Sequence, residues 1–123
     1  MAIREGTRGN DRLVGTAFAD IIEGKAGNDT LFGLGGNDIM DGDLGNDLIY
    51  GGLGNDNIEG GGGADRIFGE AGNDIISGDD GNDIMSGGAG NDRFVFDSGE
   101  GDDRIFGFVA GGVDDRLDLR DAG

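Results

Sequence analysis

The 123-residue chain carries 26 Asp and Glu against 9 Lys and Arg, a formal net charge of −17, with 30 Gly and no Pro, Cys, His or Trp. One domain is the natural count for this length. The missing Cys excludes a disulfide framework and thiolate metal sites, and the missing His excludes the usual zinc ligand, the usual general base and any Ser-His or Cys-His nucleophile pair.

So acidic a chain is not built to hold a nucleic-acid backbone or an anionic membrane surface. Its longest apolar runs, such as Phe94-Val95-Phe96, are too short to span a bilayer. Residues 1–20 carry Arg4, Glu5, Arg8, Asp11 and Arg12 and lack the apolar segment of a secretory leader. Composition alone would point to disorder, because a glycine-rich chain of one charge sign buries little apolar surface. Order has to come from the arrangement of the residues or from a ligand that neutralises them.

After a lead-in over residues 1–5, the arrangement is a period of nine. Gly recurs at 6, 15, 24, 33, 42, 51, 60, 69, 78 and 87. With each of these as position 1, position 4 is Gly in every unit except at Phe18, and position 5 is Asn except at Ala19 and Ala64. Position 6 is Asp in all ten units: Asp11, Asp20, Asp29, Asp38, Asp47, Asp56, Asp65, Asp74, Asp83 and Asp92. Position 8 is always apolar, from Leu13 and Ile22 through Met85 to Phe94.

Positions 1–6 read as turn, with Gly free to take positive φ and Asn tolerant of the left-handed region. Positions 7–9 read as a three-residue strand whose middle side chain points inward. One unit buries a single side chain and cannot fold alone, whereas stacked units bury a continuous column. The ten units cover residues 6–95. Over 96–123 the phase is lost, although Gly101-Asp102-Asp103-Arg104-Ile105 repeats positions 4 to 8 with a displacement of two residues. Terminal units of a solenoid must cover the open core. Residues 96–123 are therefore expected to form a C-terminal cap, with Phe94, Phe96, Ile105, Phe106 and Phe108 supplying the bulk.

Ten aspartates stacked in register would repel one another. A role as mere turn formers predicts exchange among Asp, Asn and Ser at position 6, and the invariance argues against it. A hard divalent cation with carboxylate and carbonyl ligands removes the repulsion.

These units resemble the RTX nonapeptide of haemolysin-type calcium-binding proteins, G-G-x-G-x-D-x-U-x with U apolar. Gly51-Gly52-Leu53-Gly54-Asn55-Asp56-Asn57-Ile58-Glu59 and Gly87-Gly88-Ala89-Gly90-Asn91-Asp92-Arg93-Phe94-Val95 match it throughout. The tail is similar to the flank of such modules in serralysin-type proteases and mannuronan epimerases. The resemblance implies an all-β fold, a right-handed parallel β-roll with two units per coil and Ca²⁺ between turns that neighbour along one edge.

It places Asp11, Asp29, Asp47, Asp65 and Asp83 on one edge and Asp20, Asp38, Asp56, Asp74 and Asp92 on the other. Backbone carbonyls are implied as co-ligands at Gly24, Gly27, Gly33, Gly36, Gly42, Gly45, Gly51 and Gly54, and at Gly60, Gly63, Gly69, Gly72, Gly78, Gly81, Gly87 and Gly90. Asp103 is an additional candidate. The regular units offer about eight sites, whose ions would bring about +16 to a chain of −17. The resemblance further implies a bacterial protein, secreted unfolded by type I machinery with an uncleaved C-terminal signal. The end at Asp121-Ala122-Gly123 is shorter than a typical signal of this kind. The second unit departs from the pattern, and Phe18 is expected to displace the Asp20 site and cap the N-terminal end of the core.

Other motifs carry less. Asp79-Asp80-Gly81-Asn82-Asp83 lacks the flanking helices and closing Glu of an EF-hand. Gly60-Gly61-Gly62-Gly63 lacks the Lys-Ser/Thr of a phosphate loop. Asp79-Asp80 and Asp102-Asp103 lie among turn residues and do not make a glycosidase pair. No enzyme is expected. One outward stripe, Val14, Phe32, Tyr50, Phe68 and Ser86, is aromatic enough to stiffen a sheet or to meet a partner domain or polysaccharide. The functional expectation is a module that folds on binding several Ca²⁺, either as a structural unit or as a non-catalytic accessory of a larger secreted enzyme or toxin.

Overall fold

A computed structural model describes residues 1–96, 101–107 and 116–119, the last four through their backbone. Thirteen short strands follow one another: β1 (Ile3–Glu5), β2 (Arg12–Val14), β3 (Ile21–Glu23), β4 (Thr30–Phe32), β5 (Ile39–Asp41), β6 (Leu48–Gly52), β7 (Asn57–Glu59), β8 (Arg66–Glu70), β9 (Ile75–Ser77), β10 (Ile84–Ser86), β11 (Arg93–Phe96), β12 (Arg104–Phe106) and β13 (Arg116–Leu119). No helix occurs among the described residues. Odd strands form a seven-stranded sheet in the order β1-β3-β5-β7-β9-β11-β13, and even strands a six-stranded sheet in the order β2-β4-β6-β8-β10-β12.

Every pairing is parallel and joins residues 18 apart in the regular units, as in Ile22↔Met40 and Leu31↔Ile49. One coil is therefore two nonapeptides, and the chain climbs a parallel β-solenoid. The expected period of nine is the physical repeat, because each turn reverses the chain from one sheet to the other.

The core is the column of position-8 side chains. Ile22, Leu31, Met40, Ile49, Ile58, Ile67, Ile76, Met85 and Phe94 are buried, and Leu13, Phe96 and Ile105 pack partly buried against them. Among the described residues this single column of nine side chains is a thin core, so the fold depends on what its turns contribute.

At the N-terminal end Arg4 stands in register with Ile22 and donates from Nε to the Val14 carbonyl at 3.2 Å. It holds the position that the sequence assigned to Phe18. Phe18 is 71% exposed and caps nothing. A charged residue at the last core position also blunts the open end against stacking with another chain. At the other end, Phe106 is exposed while Ile105 packs on the core, and Phe108 lies outside the described residues.

Outward, Phe32, Tyr50 and Phe68 stack across three strands. Ring centroids are 5.2 Å apart in both pairs, with interplanar angles of 7° and 14°. The Arg12 guanidinium lies 4.8 Å from the Phe32 ring centre.

Candidate metal centre

The turns alternate between two edges, and the alternation sorts the aspartates. Asp11, Asp29, Asp47, Asp65, Asp83 and Asp103 run along one edge. Asp20, Asp38, Asp56, Asp74 and Asp92 run along the other. Asp83 donates its backbone N–H to Asp103 Oδ1 across 20 residues instead of 18, so the displaced unit joins the stack.

The turn backbone differs from the sequence expectation. Positive φ falls at position 2, in Lys25, Leu34, Asp43, Gly52, Gly61, Glu70, Asp79 and Gly88, and at position 4, as in Gly45 (φ 111°) and Gly54 (φ 100°). It falls at neither the position-1 glycines nor the asparagines. Gly at position 1 answers a demand for space instead. A Cβ on Gly51 would sit 2.7 Å from Asp56 Oδ2 and 2.8 Å from the Gly69 carbonyl oxygen.

That hollow is the candidate site. It is lined by the carboxylate of its own turn and by the position-1 carbonyl of the next coil. It recurs with Asp29 and Gly42, Asp38 and Gly51, Asp47 and Gly60, Asp56 and Gly69, Asp65 and Gly78, and Asp74 and Gly87. The position-4 carbonyls of Gly27, Gly36, Gly45, Gly54, Gly63, Gly72 and Gly81 face the position-4 glycine of the following coil. The carbonyls of Gly24, Gly33, Gly78 and Gly87 face the preceding coil's position-1 glycine, while Gly90 is itself in the positive-φ position of its turn.

The carboxylates of Asp29, Asp38, Asp47, Asp56, Asp65 and Asp74 are each held by one oxygen. Oδ1 accepts the backbone N–H of the aspartate one coil earlier, at 2.7–2.9 Å, in an unbroken ladder from Asp29 to Asp92. Oδ2 of Asp29, Asp38, Asp47, Asp56, Asp65 and Asp74 is buried and accepts no hydrogen bond. A buried carboxylate oxygen without a donor is costly.

The cost shows in the acidities. Burial, opposed by the single N–H and reinforced by the charges of ladder neighbours, raises Asp38 to about 6, Asp47 and Asp56 to about 7, Asp74 to about 8 and Asp65 to about 9. Asp29 and Asp103 move in the same direction, again chiefly through burial. Among the described residues no three His, Cys, Asp or Glu side chains converge. A cation in these hollows would thus be held by carboxylate oxygens with backbone carbonyls. This all-oxygen set, with unsatisfied buried anions beside it, fits Ca²⁺ and offers nothing to softer metals.

A second ladder escaped the sequence reading. At position 5 the Asn side-chain oxygen accepts the backbone N–H of the residue one coil later, at 2.7–2.9 Å: Asn10 from Asn28, Asn28 from Asn46, Asn37 from Asn55, Asn46 from Ala64, Asn55 from Asn73 and Asn73 from Asn91. The tail continues it, with Asn82 accepting from Asp102 at 2.9 Å. The two ladders run in opposite directions, forward through Asn and backward through Asp. Near-invariant Asn beside invariant Asp was the available signal. Ala64 interrupts the ladder because it offers Asn82 no side-chain oxygen. Ala64→Asn is expected to stabilise the roll by about 0.5–1 kcal/mol, read as a rise of a few degrees in the melting temperature at saturating calcium.

The family model of the RTX calcium-binding nonapeptide repeat matches four stretches, residues 5–40, 23–58, 33–67 and 59–94. No curated protein matches the chain. The matched stretches together span every turn whose hollow is described above, and the chain belongs to the RTX calcium-binding nonapeptide repeat family.

Proposed function

We propose that this chain is a secreted module that folds on binding several Ca²⁺ ions, with ligands drawn from the position-6 aspartates whose Oδ2 lacks a donor and from position-1 carbonyls. The observation that carries the reading is the row of buried Oδ2 atoms lacking a donor on both edges. Bound Ca²⁺ would supply positive charge and satisfy oxygen lone pairs. The chain's own part is to hold carboxylates and carbonyls of successive coils at one spacing, which the two ladders and the parallel sheets do.

Binding linked to folding contributes about 2.7 kcal/mol per site at a ligand concentration 100 times the dissociation constant. A few such sites match the whole stability of an ordinary domain, about 5–15 kcal/mol. Extracellular calcium modules bind at about 10⁻⁴–10⁻³ M. This range suits a chain that stays unfolded inside a cell and folds once outside, and RTX repeat proteins are typically secreted by bacteria. Export by type I machinery follows the same family logic.

The test is a calcium titration monitored by far-UV circular dichroism, with magnesium as control. A cooperative gain of β signal with Ca²⁺ and not Mg²⁺ is expected. A β signal already complete in chelator at neutral pH would remove the proposal.

The aromatic stripe is read as a stiffener. The parallel rings of Phe32, Tyr50 and Phe68 stack on one another, with the Arg12 guanidinium over Phe32, so most of their face area is spent within the sheet, whereas a sugar ring stacks on an open face. A partner domain meeting the apolar groove between Phe32, Tyr50, Leu34 and Leu53 is the accessory-module alternative. Substituting Phe32, Tyr50 and Phe68 by Ser would weaken that contact and leave calcium-dependent folding in place.

A further inference from the structure

The first carboxylate on each edge is bonded unlike those of Asp29, Asp38, Asp47, Asp56, Asp65 and Asp74. Oδ2 of Asp11 accepts the backbone N–H of Thr7 and, at 3.0 Å, its hydroxyl. Oδ2 of Asp20 accepts the backbone N–H of Thr16 at 2.6 Å and its hydroxyl at 3.0 Å. The same hydroxyls reach Oδ1 of Asp11 at 3.1 Å and of Asp20 at 3.0 Å. Each hydroxyl oxygen also accepts a backbone N–H two residues on, from Gly9 and from Phe18, both at 3.1 Å.

The backbone has changed to allow this. Thr7, Gly9, Thr16 and Phe18 lack the positive φ that positions 2 and 4 adopt in every later regular turn. Donor hydrogens therefore converge on an Oδ2 that the turns of Asp29 to Asp74 leave without a donor. A cation needs lone pairs, and N–H and O–H groups aimed at the carboxylate compete for them. The acidities agree. At Asp20 burial acts to raise the pKa, but the hydrogen bonds from Thr16 and Ala2 prevail and hold it below its ordinary value, in contrast with Asp29 and Asp38.

We infer that the first hollow of each edge holds no calcium, and that Thr7 and Thr16 take the place of the ion, so that loading begins at Asp29 and Asp38. This rests on the calcium reading above and sharpens it. Of the about eight sites allowed by the regular units, six remain. The roll starts on a coil that satisfies its own carboxylates.

The test counts bound ions on the full chain by native mass spectrometry and equilibrium dialysis with Ca²⁺. Thr7→Gly writes Gly-Gly-x-Gly-x-Asp into residues 6–11 and is expected to bind one ion more than the wild type. Thr16→Gly combined with Phe18→Gly is expected to do the same on the other edge. Asp11→Asn, which keeps an oxygen for Thr7, is expected to leave the count unchanged, while Asp47→Asn lowers it. Loss of an ion in Asp11→Asn, or an unchanged count in both glycine variants, would overturn the inference. A wild type that binds no Ca²⁺ at all would defeat the calcium reading itself.

Discussion

In chelator, lowering the pH from about 8 to about 4.5 is expected to recover much of the β signal that calcium otherwise restores. The argument starts from the bare Oδ2 row. Burial and ladder repulsion raise Asp38, Asp47, Asp56, Asp65 and Asp74 from 3.8 to between about 6 and about 9 in the folded chain. Between those values the folded state binds more protons than the unfolded state. Stability of the calcium-free roll therefore falls as pH rises through the window and returns as pH drops toward the unfolded value.

Asp20 has the opposite sign. Its lowered pKa stabilises the fold above the unfolded value, and that contribution is lost only as pH falls through its folded value. The recovery should therefore be strongest near pH 4.5 and decline under more acid conditions. The experiment is a far-UV titration at low protein concentration, since the sequence pI of about 4.1 invites association near that pH. A chelated chain that gains no β signal anywhere between pH 8 and pH 4 would mean that carboxylate charge is not what keeps it open.

Much of this architecture is legible in the residues. The period of nine and the inward position 8 follow from strand alternation and phase, the two-edge sorting of the aspartates from the resemblance to the nonapeptide family, and the parallel sheets reproduce them strand by strand. The expectations that went astray concern backbone angles and hydrogen-bond direction. Asn at position 5 is there for an acceptor aimed at the next coil and not for a left-handed turn. Lys25, Leu34 and Glu70 take positive φ although they are not turn-forming types, because the stack imposes it on position 2. No local propensity carries that information, since it arises only when coils meet. Phe18 misled through its bulk, which suggested a plug, while the residue in register beyond Ile22 is Arg4, from a strand that precedes the first repeat. Thr16 belongs to the second unit, whose departure from the pattern was visible, but Thr7 gave no such signal, and the bonds of both threonines to Asp11 and Asp20 required the turn geometry.

The position-4 glycines give the sharpest expectation for stability. Gly45 has φ 111°, and a Cβ there would collide with the Gly27 carbonyl oxygen and lie 2.6 Å from the Gly27 carbonyl carbon. Both contacts are to backbone, which cannot move without parting two coils. Gly45→Ala is accordingly expected to cost about 3 kcal/mol or more and to lower the melting temperature at saturating calcium by more than about 10 °C.

Gly51→Ala should behave differently. Its backbone is not left-handed, and its Cβ would enter the hollow between Asp56 Oδ2 and the Gly69 carbonyl. The expected result is loss of one ion with the neighbouring coils retained. Gly62→Ala is the control, with nothing nearer than the end of the Leu44 side chain at 3.3 Å. It should be neutral or slightly stabilising, within about 0.4–1 kcal/mol, because alanine restricts the unfolded chain. The three substitutions add the same methyl group within 18 residues of one another, so their ranking separates coil spacing from ion binding. If Gly45→Ala melted with Gly62→Ala, the coils would not be held in backbone contact at position 4. If Gly51→Ala kept every ion, the hollow would not be where calcium sits.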